Sequence, residues 1–133
     1  MQEKPAAPGK RPLSPHLTVY RWGPHMLVSI LHRLTGFGLA VGTLFLAWGL
    51  VATASGATAY AQFHGFLASP LGRFILFGLS FAFFQHLASG LRHLYLDTGA
   101  GYEIVGNRRS AVATLIASTT LTLFAWLAGY GLI

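Results

Sequence analysis

Three long stretches of this chain carry no charge at all: Leu34 to Gly72, Phe74 to Leu91 and Ser110 to Ile133. Uncharged apolar runs of about 18 residues or more are long enough to cross a bilayer as helices. In that medium the backbone must satisfy its own hydrogen bonds, which leaves helices and closed barrels as the available structures. Only 9% of the residues are charged and 53% are hydrophobic, whereas a soluble domain carries about 25% charged residues. The pattern implies an all-α integral membrane protein with three transmembrane helices in an up-down bundle and no separate soluble domain.

The net charge of +6 comes from nine Lys and Arg against three acids. These basic residues are not interleaved with exposed aromatics. They flank the apolar runs, as topology signals do, and nucleic-acid binding is set aside. The absence of cysteine excludes disulfides, iron–sulfur clusters and thiolate metal sites within the chain.

Residues 1–23 are expected to form an extended, cytoplasmic N-terminal segment, because four prolines (Pro5, Pro8, Pro12, Pro15) forbid a continuous helix there. Residues 24–133 are expected to form the membrane domain, with helices over about 24–52, 70–96 and 110–133. The 53–69 stretch reads as a loop with room for a short interfacial helix, and 97–109 as a polar loop. Gly38 and Gly42 have the small-residue spacing that permits close helix approach. Eight of the nine basic residues lie in the N-terminal segment, early helix I, the end of helix II and the 97–109 loop, with Arg73 the exception. The positive-inside rule puts the N-terminus in the cytoplasm. A chain starting at Met1 with so short a leader suits a bacterial inner membrane better than a mitochondrial one.

Ionisable residues inside spans are expensive and mark function by default. His86 lies eleven residues before Asp97, roughly 16 Å at the helical rise, near the middle of an apolar slab about 30 Å thick. His93 is only about 6 Å from the same end. The two are two turns apart on one face, with Gly90 between them leaving clearance for something flat. Two readings stand for His86: an axial ligand of a b-type haem, or an imidazole bonded to a neighbouring helix. On helix I, Ser29, His32 and Arg33 at i, i+3 and i+4 share one side. Arg33 either meets an anion the chain does not supply or snorkels to headgroups. A hydroxyl, an imidazole and a guanidinium there also suit the carbonyls of a quinone.

Three motifs resemble one known family. They are Arg11-Pro12-Leu13-Ser14-Pro15-His16-Leu17 with Tyr20, Ser29-x-x-His32-Arg33-x-Thr35-Gly36, and His86-x-x-x-Gly90-x-Arg92-His93-Leu94-x-x-Asp97. Together, and in this order, they resemble the cytochrome b subunits of succinate dehydrogenase, which form the larger membrane anchor of respiratory complex II. The resemblance covers about residues 11–133. It implies that His86 is one axial ligand of haem b, the other coming from the small anchor subunit, with which the bundle would pair. It implies that His32, Arg33 and His93 lie near the haem propionates or on a proton path. Ser29 and Arg33 would bind ubiquinone, and Asp97 is a candidate for the proton path. The iron–sulfur and flavoprotein subunits would dock on the cytoplasmic face. The chain would then pass succinate-derived electrons to quinone only within the complex, without catalysis of its own. A quinol:fumarate reductase anchor and a small non-redox transporter or adaptor remain the alternatives.

Overall fold

Proline opens the first two long helices. Its missing N–H costs nothing in a first turn, and its fixed φ suits the helix. α1 (Pro24–Ala54) starts after Gly23 and α3 (Pro70–Asp97) after Ser69. Between them lies α2 (Ala57–Ala68), and after α3 comes α4 (Ile104–Gly129). This computed structural model describes residues 14–131. Pro5, Pro8, Pro12 and the Arg11–Leu13 part of the first motif lie outside the described residues, as do Leu132 and Ile133. From Ser14 to Gly23 the backbone has no regular structure except a turn at 17–19, closed by the Val19 N–H donating to the His16 carbonyl at 2.9 Å.

α1, α3 and α4 have 31, 28 and 26 residues and are long and apolar enough to cross a membrane. Their lengths of roughly 47, 42 and 39 Å exceed the hydrocarbon core, so tilt or projection into the headgroups takes up the excess. Among the described residues there is no strand. α3 is central and packs on both α1 and α4, α1 also meets α4, and α2 lies against α1 and α3. Neighbouring spans run antiparallel. Gly36 faces His86 while Gly42 faces Leu79; Arg92 reaches Asn107 and Ser110 while Phe77 meets Trp126. The all-α, up-down membrane bundle expected from the uncharged runs is the fold observed.

The bundle is packed with small and polar groups and covered with large apolar ones. Gln85, Ser89, Arg92, Thr114, Ser118 and Thr122 are buried, whereas Phe37, Leu44, Phe74 and Ile116 are exposed. Lipid explains this inversion, because it provides no hydrophobic drive between helices, so close packing and hydrogen bonding hold them instead. The buried hydroxyls return to their own helix. Thr114 donates to the Ala111 carbonyl at 2.7 Å and Thr122 to the Ser118 carbonyl at 2.7 Å. They fill the seam with their own oxygens satisfied. Of the two small residues spaced on α1, only Gly42 faces another helix, since a methyl group there would stand 2.9 Å from Leu79 Cδ2, while one on Gly38 meets nothing within 4 Å.

Three boundaries differ from those expected. The 53–69 stretch is a 12-residue helix for most of its length. It is set off from α1 by Gly56 at φ 103°, a left-handed conformation that glycine adopts without strain. Ser69 ends α2 and begins α3. Its hydroxyl donates to the Phe66 carbonyl at 2.6 Å and accepts from the Gly72 N–H at 3.1 Å. α4 starts at Ile104, so residues 104–109, expected in a polar loop, form its first turns. The charge of Arg108 and Arg109 argued for a loop, but both are exposed and a helix entering through the headgroups can carry them. At its other end α4 stops at Gly129, with Tyr130 as cap.

Candidate functional site

The polar residues of α1 and α3 meet where the two helices cross. The His32 and His86 rings stack with centroids 3.9 Å apart and planes 10° from parallel. His93 lies beside them, its ring 5.0 Å from that of His32 and tilted by 59°. Counted along the chain, His32 is roughly 12 Å from the start of α1 and His86 roughly 16 Å from the end of α3, so the stacked pair sits well inside the apolar slab. Room for the contact comes from Gly36. A methyl group on it would stand 3.0 Å from His86 Cε1, whereas one on Gly90 would lie 3.8 Å from His32 Cε1, an ordinary contact. Clearance for the His86 ring thus comes from Gly36 on the opposing helix, and Gly90 leaves open the space beside His32.

The hydrogen bonds determine which nitrogen of each ring is occupied. His86 Nδ1 is 3.1 Å from the His32 carbonyl oxygen. A carbonyl can only accept, so Nδ1 carries a proton, and in the neutral ring Nε2 keeps its lone pair. Thr35 Oγ1 is 3.3 Å from the same Nδ1, and Thr35 itself donates to the Leu31 carbonyl at 2.7 Å. His32 Nδ1 is 2.6 Å from Ser89 Oγ, and Ser89 sends its proton to the Gln85 carbonyl at 2.7 Å. His32 is therefore the donor in that pair. A ligating histidine is commonly held in this way, with the distal ring nitrogen tied to a carbonyl and the other free for a metal. Among the described residues, no three His, Cys, Asp or Glu side chains are grouped to hold a metal ion. Two of the imidazoles stack and the third is tilted against His32, instead of all three converging on a point. The donor set fits a metal that takes one imidazole from this chain, as a haem iron does.

The other predicted residues are not drawn into this cluster. Ser29 is half-buried and Arg33 exposed, and neither side chain has a hydrogen-bond partner among the described residues. Of the α1 trio only His32 turns against α3. Asp97 is exposed on the last turn of α3, one turn beyond His93.

Two residues of the site, one of them in the third motif, had no role assigned from the sequence. Arg92 is buried, donating from Nε to Ser110 Oγ at 3.0 Å and from its terminal nitrogen to Asn107 Oδ1. Gln85 is fully buried and accepts from Ser118 at 2.6 Å, leaving its own Nε2 without a partner. Both bind the histidine-bearing helix to α4. The signal was present in the spacing: Gln85, Ser89, Arg92 and Leu96 recur at helical intervals opposite Ala111, Thr114, Ser118 and Thr122.

Fold and site together define a multi-pass helical membrane protein with an imidazole cluster built between two of its spans. Residues 8–125 match the family described as succinate dehydrogenase/fumarate reductase transmembrane subunit. The chain is 41% identical over 115 residues to the succinate dehydrogenase cytochrome b556 subunit of Paracoccus denitrificans, covering 86% of this chain and 88% of the relative. It is 35% identical over 117 residues to the protein of the same name from Rickettsia felis, covering 88% and 91%. It is 36% identical over 110 residues to the mitochondrial succinate dehydrogenase cytochrome b560 subunit of Sus scrofa, covering 80% and 64%. The chain belongs to the succinate dehydrogenase/fumarate reductase transmembrane subunit family.

Proposed function

We propose that this chain is the cytochrome b membrane anchor of a succinate dehydrogenase, holding complex II in the bilayer and forming half of a haem b site and part of a ubiquinone site. The names of the relatives favour succinate oxidation over fumarate reduction. The observation that carries the haem assignment is the tether of His86 Nδ1 to the His32 carbonyl, which leaves Nε2 as an unprotonated donor deep in a span. His86 would supply one axial imidazole. The small anchor subunit would supply the second, as the resemblance to the family implies. When bound, haem b supplies one-electron redox chemistry at an iron whose potential responds to axial ligation and hydrogen bonding.

The remaining residues have roles that follow from their chemistry. Arg33 offers a guanidinium with no acidic partner among the described residues, suited to propionates or to a quinone carbonyl. Ser29, one turn away, offers a hydroxyl donor to the same carbonyls. His32, His93 and Asp97 are the titratable groups that could relay protons to reduced quinone from the membrane surface, which we take to be cytoplasmic. The iron–sulfur and flavoprotein subunits would dock at that surface and deliver electrons derived from succinate.

The test is a reduced-minus-oxidised spectrum of the purified complex carrying His86→Ala. Loss of the b-type signal is expected, with succinate oxidation by an artificial dye retained. An unchanged haem spectrum in an assembled complex would remove His86 from the ligand set.

A further inference from the structure

At the opposite end of the bundle from the imidazoles, α2, α3 and α4 border an open cleft of about 610 Å³ lined by His64, Leu67, Arg73, Leu76, Trp126 and Tyr130 among others. Its size falls within the roughly 300–1,000 Å³ of small-molecule sites. Its chemistry is divided. Arg73 and His64 supply positive or proton-donating groups, Tyr130 a hydroxyl, and Leu67, Leu76 and Trp126 an apolar wall. A second hollow of about 240 Å³, bordered by Gly42, Phe45 and Leu79, shares Leu67 and Leu76 with it. The cleft that carries the polar groups thus adjoins a wholly apolar hollow.

Arg73 has no counter-charge near this end among the described residues. It is the basic residue set apart by position, lying between the uncharged runs Leu34–Gly72 and Phe74–Leu91. The acids among the described residues, Asp97 and Glu103, lie at or beyond the far end of α3, Asp97 roughly 36 Å away along the helix axis. The Arg73 side chain has no hydrogen-bond partner among the described residues. Its level also suits a headgroup: it is in the first turn of α3, roughly 20 Å along the axis from His86, at the depth where Trp and Tyr collect in membrane proteins. Trp126 and Tyr130 stand there, with ring centroids 5.8 Å apart.

We propose that this cleft binds one anionic glycerophospholipid, its phosphodiester held by Arg73 and His64 and an acyl chain lying along Leu67, Leu76 and Trp126. Arg73 and His64 are exposed and free to meet a phosphate, the wall beside them is apolar, and a phospholipid matches both in one molecule. The proposal is independent of the haem and quinone assignments, because the cleft shares no residue with the imidazole cluster.

The test uses the whole purified complex in detergent. Phosphatidylglycerol binding is counted by native mass spectrometry for wild type, for the double variant Arg73→Gln/His64→Gln, and for Leu76→Trp, which keeps the charge but fills the wall. Both variants are expected to bind one phosphatidylglycerol fewer, or to bind it at least tenfold more weakly, with succinate–dye activity unchanged. Excess inorganic phosphate is expected not to displace the lipid, since it lacks the chain. Equal lipid binding in wild type and both variants overturns the proposal. So does loss of another subunit in place of lipid, which would make the cleft a protein contact, and so does displacement by phosphate alone.

Discussion

Gly36→Ala tests whether the approach of α1 to α3 holds the His86 ring in place. The added methyl carbon would stand 3.0 Å from His86 Cε1 and 3.5 Å from Nδ1, where carbon atoms prefer about 3.5–4.0 Å. The ring or the helix must therefore give by a few tenths of an ångström. Rotation of the ring stretches the 3.1 Å bond from Nδ1 to the His32 carbonyl, and separation of the helices breaks the stacking with His32. Overpacking of this kind costs about 1–3 kcal/mol, and a weakened hydrogen bond costs about 0.5–1.5 kcal/mol more. Alanine offsets part of this with about 1 kcal/mol of helix propensity. Gly38→Ala and Gly78→Ala serve as controls, because a methyl group at either meets nothing within 4 Å and should bring only the propensity gain. Gly36→Ala is expected to fall about 2–4 kcal/mol below the controls, more than tenfold in an equilibrium constant. Thermal loss of helical signal in detergent measures the stability, and haem content per purified complex measures the site. If Gly36→Ala melts with the controls and keeps full haem, Gly36 does not hold the ring in place.

Arg92→Met should destabilise the chain by about 1.5–3 kcal/mol, since it removes the charge-assisted bonds to the half-buried Asn107 and Ser110; its level in membranes and its melting point report this, and wild-type values in both would refute the tie. Gln85→Leu should stay within about 1 kcal/mol of wild type, because it removes the unpartnered Nε2 while Ser118 keeps the Leu115 carbonyl at 3.1 Å; a large loss on melting would show that Nε2 has a partner in the complex. Ser29→Ala and Arg33→Leu should each lower quinone reduction by roughly 5- to 100-fold, the equivalent of one lost donor bond of about 1–3 kcal/mol, and leave succinate–dye activity intact. Equal loss of both activities would point to misassembly.

The long uncharged runs revealed the three spans because lipid imposes a blunt requirement, about 20 apolar residues in a row, that few other structures satisfy. His32, His86 and His93 stood out for the same reason, as costly groups at computable depths. The residues that fit those groups together were harder to read. Gly36 is one of sixteen glycines, and only the crossing of α1 over α3 shows which of them touches an imidazole. Arg92 looked like another charge near a helix end, because its partners Asn107 and Ser110 lay on either side of a boundary drawn at the last arginine. α2 escaped firm assignment because its small, uncharged residues suit a loop and a short helix about equally.

The polar seam between α3 and α4 has a consequence for how the chain enters the bilayer. A lone α3 would bring Gln85, Ser89 and Arg92 into lipid with only water defects and headgroups to satisfy them; an arginine costs about 2.5–3.5 kcal/mol at a helix centre on insertion scales and less at Arg92, roughly 8 Å from the end of α3. With α4 alongside, the guanidinium finds Asn107 and Ser110 and the amide finds Ser118. The loop between the two helices is short, from Thr98 to Glu103, so the partner arrives soon after α3 during synthesis. The two helices are therefore expected to insert as a single hairpin, with α3 alone entering the bilayer less completely than α3 followed by α4 in a membrane-insertion assay.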